Sequence, residues 1–96
     1  MNYRIERSAR QELLEAGRWY LADGGVAVAE QFEWAVQRAL DLLLVMPKVG
    51  RPGYVGTRTW PLKRFPYTLV YRVQGETIAV IAVAHQSREP GYWQGR

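Results

Sequence analysis

Residues 60–96 read WPLKRFPYTLVYRVQGETIAVIAVAHQSREPGYWQGR, and the fold is decided there. Tyr67, Leu69, Tyr71 and Val73 alternate with Thr68, Val70, Arg72 and Gln74. Side chains on a strand point to opposite faces at period two, so this run predicts a half-buried strand with one apolar face. Gly75 can take the positive φ of a tight hairpin turn. Residues 77–84, TIAVIAVA, are apolar on both faces and rich in β-branched side chains, which predicts a central strand covered on both sides. Residues 85–90 then form a polar exit carrying the only histidine, His85.

Upstream, Tyr3 and Ile5 alternate with polar neighbours and predict a first strand over residues 2–6. Ser8 and Gln11 have capping-box spacing at the start of a helix that should run to about Leu21. Its apolar stripe is Ala9, Leu13, Ala16, Gly17 and Tyr20, with Arg10, Glu12, Glu15 and Arg18 mostly off it. Gly24 and Gly25 predict a break. A second helix, about residues 26–45, follows with Ala29, Phe32, Val36, Ala39, Leu43 and Met46 on its packed face, and Pro47 stops it. A break so short predicts an antiparallel helical hairpin, packed into the core. Residues 47–56, PKVGRPGYVG, read as a turn-rich connector: the glycines lack the Gly-Lys-Ser/Thr ending of a phosphate loop. Residues 57–62 give one more strand, ending near Pro61. The expected fold is α+β, ordered β-α-α-β-β-β, with the helical hairpin on one face of a small, mainly antiparallel sheet, and residues 1–96 forming a single domain.

Ninety-six residues suffice for one small, marginally stable core. With no cysteine and one histidine there is no disulfide framework and no thiolate or histidine-rich metal site, so neither metal nor cofactor is expected. The first ten residues hold no apolar leader core, and no apolar run approaches the roughly 18–20 residues of a membrane span, which predicts a soluble cytoplasmic protein. The net charge of +4 is unevenly spread. Residues 1–50 carry six Lys/Arg against seven Asp/Glu, while residues 51–96 carry seven against two. A positive field on the sheet half favours anionic partners.

The order Arg64-Phe65-Pro66-Tyr67, Leu69-Val70-Tyr71-Arg72-Val73, hairpin, Ile-Ala-Val-rich strand, then Ala84-His85-Gln86-Ser87-Arg88 with Pro90, Tyr92 and Trp93 resembles the RelE/ParE superfamily of toxins from bacterial type II toxin-antitoxin modules. It is most similar to the ParE-like branch. The RelE-like branch cleaves messenger RNA on the ribosome, which requires cationic and acid-base groups converging on one phosphate. That pattern supplies lysines on the strand before the hairpin and an arginine just inside the signature strand. Here those positions read Thr59, Trp60 and Pro61, and Thr68. Arg88, Tyr92 and His85 remain. His85 is the only side chain with an unperturbed pKa near neutrality; it is a candidate base or, alternatively, a hydrogen-bonded strand end. No carboxylate is placed to complete a triad with Ser87.

A retained scaffold with lost cleavage groups is what the ParE-like branch looks like. The resemblance implies a non-catalytic toxin that poisons DNA gyrase and is neutralised by a cognate antitoxin in a hetero-oligomer. The expected partner-binding residues are Arg58, Lys63, Arg64, Arg88, Tyr92, Trp93 and Arg96, because arginine and aromatic side chains dominate interface energetics. Alternatively Tyr92 and Trp93 fold back onto the core. Two other functions stay open. One is a ribosome-dependent mRNA endonuclease using Arg88, His85 and Tyr92. The other is a small single-stranded nucleic-acid binder with Trp60, Phe65, Tyr67, Tyr71 and Trp93 as stacking platforms.

Overall fold

A computed structural model describes residues Met1–Arg96. The elements are strand β1 (Asn2–Ile5), helix α1 (Arg7–Val45), strands β2 (Arg51–Pro52), β3 (Arg58–Pro61), β4 (Tyr67–Gln74) and β5 (Thr77–His85), with a 3-10 turn at Tyr54–Gly56 between β2 and β3. The fold is α+β, and the five strands form one mixed sheet in the order β1-β5-β4-β3-β2. β1 lies parallel to β5, and the remaining three pairings are antiparallel. β2 falls within the stretch expected to be a loop. Its two residues, one of them a proline, give no alternation to detect, and they pair only with Thr59 and Arg58 at the sheet edge.

The expected hairpin of two helices joined by a Gly24-Gly25 loop is corrected. The structure has one helical element, Arg7–Val45, with a kink in place of a loop. Only Gly25 leaves the helical region, at φ 83° and ψ −178°, a conformation open to glycine and closed to side-chain-bearing residues. The kink is sharp: a straight helix of this length would run about 58 Å, and the longest dimension of the molecule is 38 Å. Tyr20 and Phe32, on either side of it, pack with ring centroids 5.1 Å apart. The capping box is also corrected. The helix starts at Arg7 with Glu6 as its N-cap and no side-chain cap bond, so Ser8 is already inside it. Glu6 donates its N–H to the Val80 carbonyl at 2.9 Å and accepts from Arg10 at 2.8 Å, so β5 itself fixes the chain where strand becomes helix.

The core has two parts, one on each face of the sheet. Against α1 lie Leu69, Tyr71, Ile78, Val80 and Val83, covered by Ala9, Ala16, Phe32, Val36, Ala39, Leu40 and Leu43. On the other face Val70, Ile81, Ala82 and Ala84 pack with Trp93. The register explains why β5 shows no alternation. Val70 pairs with Ala82 but Tyr71 pairs with Val80, so Ile81 is an extra residue that shifts the strand's parity. Residues 78–84 are all buried, as the uninterrupted apolar run predicts. Fully buried Tyr71 ties the loop after α1 to the sheet: its hydroxyl donates to the Pro47 carbonyl at 2.8 Å and accepts from the Gly50 N–H at 2.9 Å.

Candidate partner-binding surface

The seven residues expected at an interface fall into three groups. Lys63 and Arg64 are exposed in the connection from β3 to β4, where Arg64 has a positive φ of 70°. Arg58, half-buried on β3, donates to the carbonyls of Lys48 at 3.1 Å and Gly50 at 2.9 Å, so its guanidinium braces the loop that Tyr71 holds. Arg88, Tyr92, Trp93 and Arg96 come together in residues 86–96, which fold over the sheet face away from α1.

Within that segment, Trp93 is 8% exposed and packs in the second core cluster. Its Nε1–H is buried with no hydrogen-bond partner. Tyr92 has two cations near its ring: the guanidinium carbon of Arg88 is 3.9 Å, and that of Arg96 5.1 Å, from its centroid. The Tyr92 hydroxyl donates to Glu12 Oε2 at 2.5 Å, and Arg96 pairs with Glu12 Oε1 at 2.8 Å. Glu12 also accepts the Val83 N–H at 3.0 Å. Burial alone would raise the Glu12 pKa, but the hydrogen bonds from Arg96, Tyr92 and Val83 and the Arg96 charge hold it below the ordinary carboxylate value. Tyr92 is pushed up, by burial first and then by its bond to the Glu12 carboxylate. Arg96 is raised chiefly by that same carboxylate.

Beside Trp93 runs a cleft of about 230 Å³, lined by Thr59, Thr68, His85, Arg88, Glu89 and Tyr92 among others. It brings together the three groups left to an RNA-cutting mechanism. Arg88 is the only cation lining it, and Glu89 lies alongside. Thr59 and Thr68 stand where the RelE-like pattern would add positive charge. His85 Nδ1 is engaged at the strand end, within 3.0 Å of the Ser87 N–H and 2.7 Å of its hydroxyl, and the ring meets Tyr67 edge-on at 5.1 Å. Of the aromatics considered as stacking platforms, Trp60, Phe65, Tyr67 and Tyr71 all pack on or in the helix-side core.

Sequence reasoning missed Glu12 as part of this constellation. It belongs to the set lying mostly off the apolar stripe, yet its side chain is only 16% exposed. A signal was available: Glu12 is three residues from Ala9 and four from Ala16, both buried, so it sits on the margin of the packed face. Arg72 was missed as well; it reaches the main-chain oxygens of Val55 at 3.3 Å and Arg96 at 3.5 Å. Helix α1 also leaves two tryptophans in solvent, Trp19 at 58% and Trp34 at 66% exposure.

Residues 3–90 match the model of the family described as the ParE toxin of the type II toxin-antitoxin system, parDE. Two Mycobacterium tuberculosis sequences, from different strains and both named toxin ParE1, are each 41% identical to the chain over 69 residues. That aligned stretch is 65% of this chain and 65% of theirs, a little under two thirds of their length. Among solved structures, a chain of the chromosomal ParDE TA system from P. aeruginosa superposes with a TM-score of 0.66 at 27% identity, over 88% of this chain and 95% of that one. On the strength of the family match, which takes in nearly every strand and the whole helix, the chain is a member of the ParE toxin family of type II toxin-antitoxin systems.

Proposed function

We propose that this protein harms its host cell by binding DNA gyrase in the cytoplasm and trapping it on cleaved DNA, without chemistry of its own. The observation that carries the reading is the cleft beside Trp93. RNA cleavage by 2′-hydroxyl attack needs several cations around one phosphate, and this cleft is lined by one, Arg88, with Glu89 as a neighbour. The basic balance of residues 51–96 serves adhesion to an anionic protein–DNA target. A cognate antitoxin, the partner that the family's parDE description implies, silences the toxin in a hetero-oligomer. Its chemistry should be acidic and apolar, matched to Lys63, Arg64 and Arg88 and to the exposed tryptophans of α1.

One observation favours a second reading: Arg88, His85 and Tyr92 do line one cleft, as a ribosome-dependent endonuclease would want. Against it, the Tyr92 hydroxyl and His85 Nδ1 are both engaged in internal hydrogen bonds. Two assays on the purified, antitoxin-free protein separate the readings. Gyrase supercoiling should be inhibited, and messenger RNA in an in vitro translation reaction should stay intact. Cut message with unaffected gyrase would overturn the proposal.

A further inference from the structure

Residues 86–96 close over one face of the sheet without pairing to it. Past Gln86, whose N–H donates to the Pro66 carbonyl at 2.8 Å, the backbone bonds of this segment are all local: Arg88 to His85, Tyr92 to Glu89, Gln94 to Gly91 and Arg96 to Trp93. The polar hold comes from side chains; apart from Arg72 of β4, which reaches the Arg96 main-chain oxygen at 3.5 Å, it centres on one carboxylate of α1. Glu12 takes the Tyr92 hydroxyl on one oxygen, and on the other Arg96 at 2.8 Å together with the Val83 N–H at 3.0 Å. Arg96 also donates to the Ile81 carbonyl at 3.1 Å.

The position of this carboxylate follows from the topology. β1 pairs only with residues 77–80 of β5, so beyond Val80 that flank of β5 has no strand beside it. Unpaired strand edges must be satisfied or covered. Glu12 and Arg96 do this for Val83 and Ile81. The apolar hold is Trp93 on Val70, Ile81, Ala82 and Ala84, and it is imperfect: a buried indole N–H without an acceptor is penalised in the closed position.

We propose that residues 86–96 form a strap with a closed and an open state, and that the Glu12 carboxylate is its latch. Opening bares the strip formed by Val70, Ile81, Ala82 and Ala84 and the free flank of β5, and frees Tyr92, Trp93 and Arg96 from their internal contacts. The inference stands on this geometry and is independent of the gyrase reading. Tyr92, Trp93 and Arg96 also lie beyond the residues matched to the family.

The test is amide hydrogen exchange on the full chain, comparing wild type with Glu12→Gln and with Glu15→Gln, an exposed carboxylate on the same helix. Hydrogen bonds to a charged group are strong enough that their loss should speed local opening about tenfold or more. Glu12→Gln should therefore raise exchange at Val83 and through residues 91–96 by that factor, leaving residues 69–71 and 78–80 at wild-type rates. Glu15→Gln should change neither region. Equal protection of the strap in all three proteins would overturn the proposal. So would a rise in Glu12→Gln that includes residues 78–80, since Glu12 would then support the whole fold, and so would a strap already unprotected in wild type.

Discussion

At the residue scale, two side chains do work that spans the chain. Tyr71 is fully buried, and its hydroxyl is both the acceptor for the Gly50 N–H and a donor to Pro47. Gly50 must be glycine here, because a Cβ would collide with that same hydroxyl. Tyr71→Phe strands the buried Gly50 donor and should cost about 1–3 kcal/mol by chemical denaturation. Glu12 is the second. Its pKa is lowered in the folded state despite burial, which acts the other way, because Arg96, Tyr92 and the Val83 N–H favour the charged form. A carboxylate with a depressed folded pKa contributes stability above its unfolded pKa and loses it as pH falls through the folded value. The groups facing it are Tyr92 and Arg96, and Arg88 stacks on the Tyr92 ring. Thermal melts from pH 7 to pH 3 should thus show a steeper acid decline in wild type than in Glu12→Gln.

At the element scale, Gly25 and Gly17 predict opposite outcomes for one substitution. Gly25→Ala puts a side chain at φ 83° and should destabilise by about 1–3 kcal/mol. Gly17→Ala places a methyl where nothing lies within 4 Å, at a helical φ, and should stabilise by about 0.5–1 kcal/mol. Urea titrations of both variants check this. The same scale shows what could be read in advance. β4 and β5 were legible because alternation and apolar continuity are local properties of eight or nine residues. Two glycines in a row suggested a loop, but only one leaves the helical backbone, and local composition does not distinguish a kink from a break. β2 is too short to carry a period. The role of Glu12 is not legible in the sequence because the groups that bury it, Val83, Tyr92 and Arg96, lie 71 to 84 residues away.

For the whole molecule, the sheet half carries the positive charge, while α1 shields one face and residues 86–96 the other. The charge imbalance was visible in the sequence. That Arg58 and Arg96 are turned inward was not, because their partners are set by the folded chain: the Lys48 and Gly50 carbonyls for Arg58, and the Ile81 carbonyl and Glu12 carboxylate for Arg96. Arg88 stacks on Tyr92 and lines the cleft. Arg88→Ala should weaken toxicity in a growth assay by less than about tenfold, as expected for one charged contact among several; complete loss together with loss of message cleavage would favour the endonuclease reading.

The proposed trapping of gyrase on DNA can be measured directly. The direct measurement incubates purified, antitoxin-free protein with gyrase, ATP and closed-circular plasmid, then treats the mixture with detergent and protease and scores linear DNA on a gel. If gyrase is trapped, linear plasmid increases with the amount of this protein and requires gyrase. Plasmid supercoiled to the same extent with and without the protein, and never linear, would contradict it.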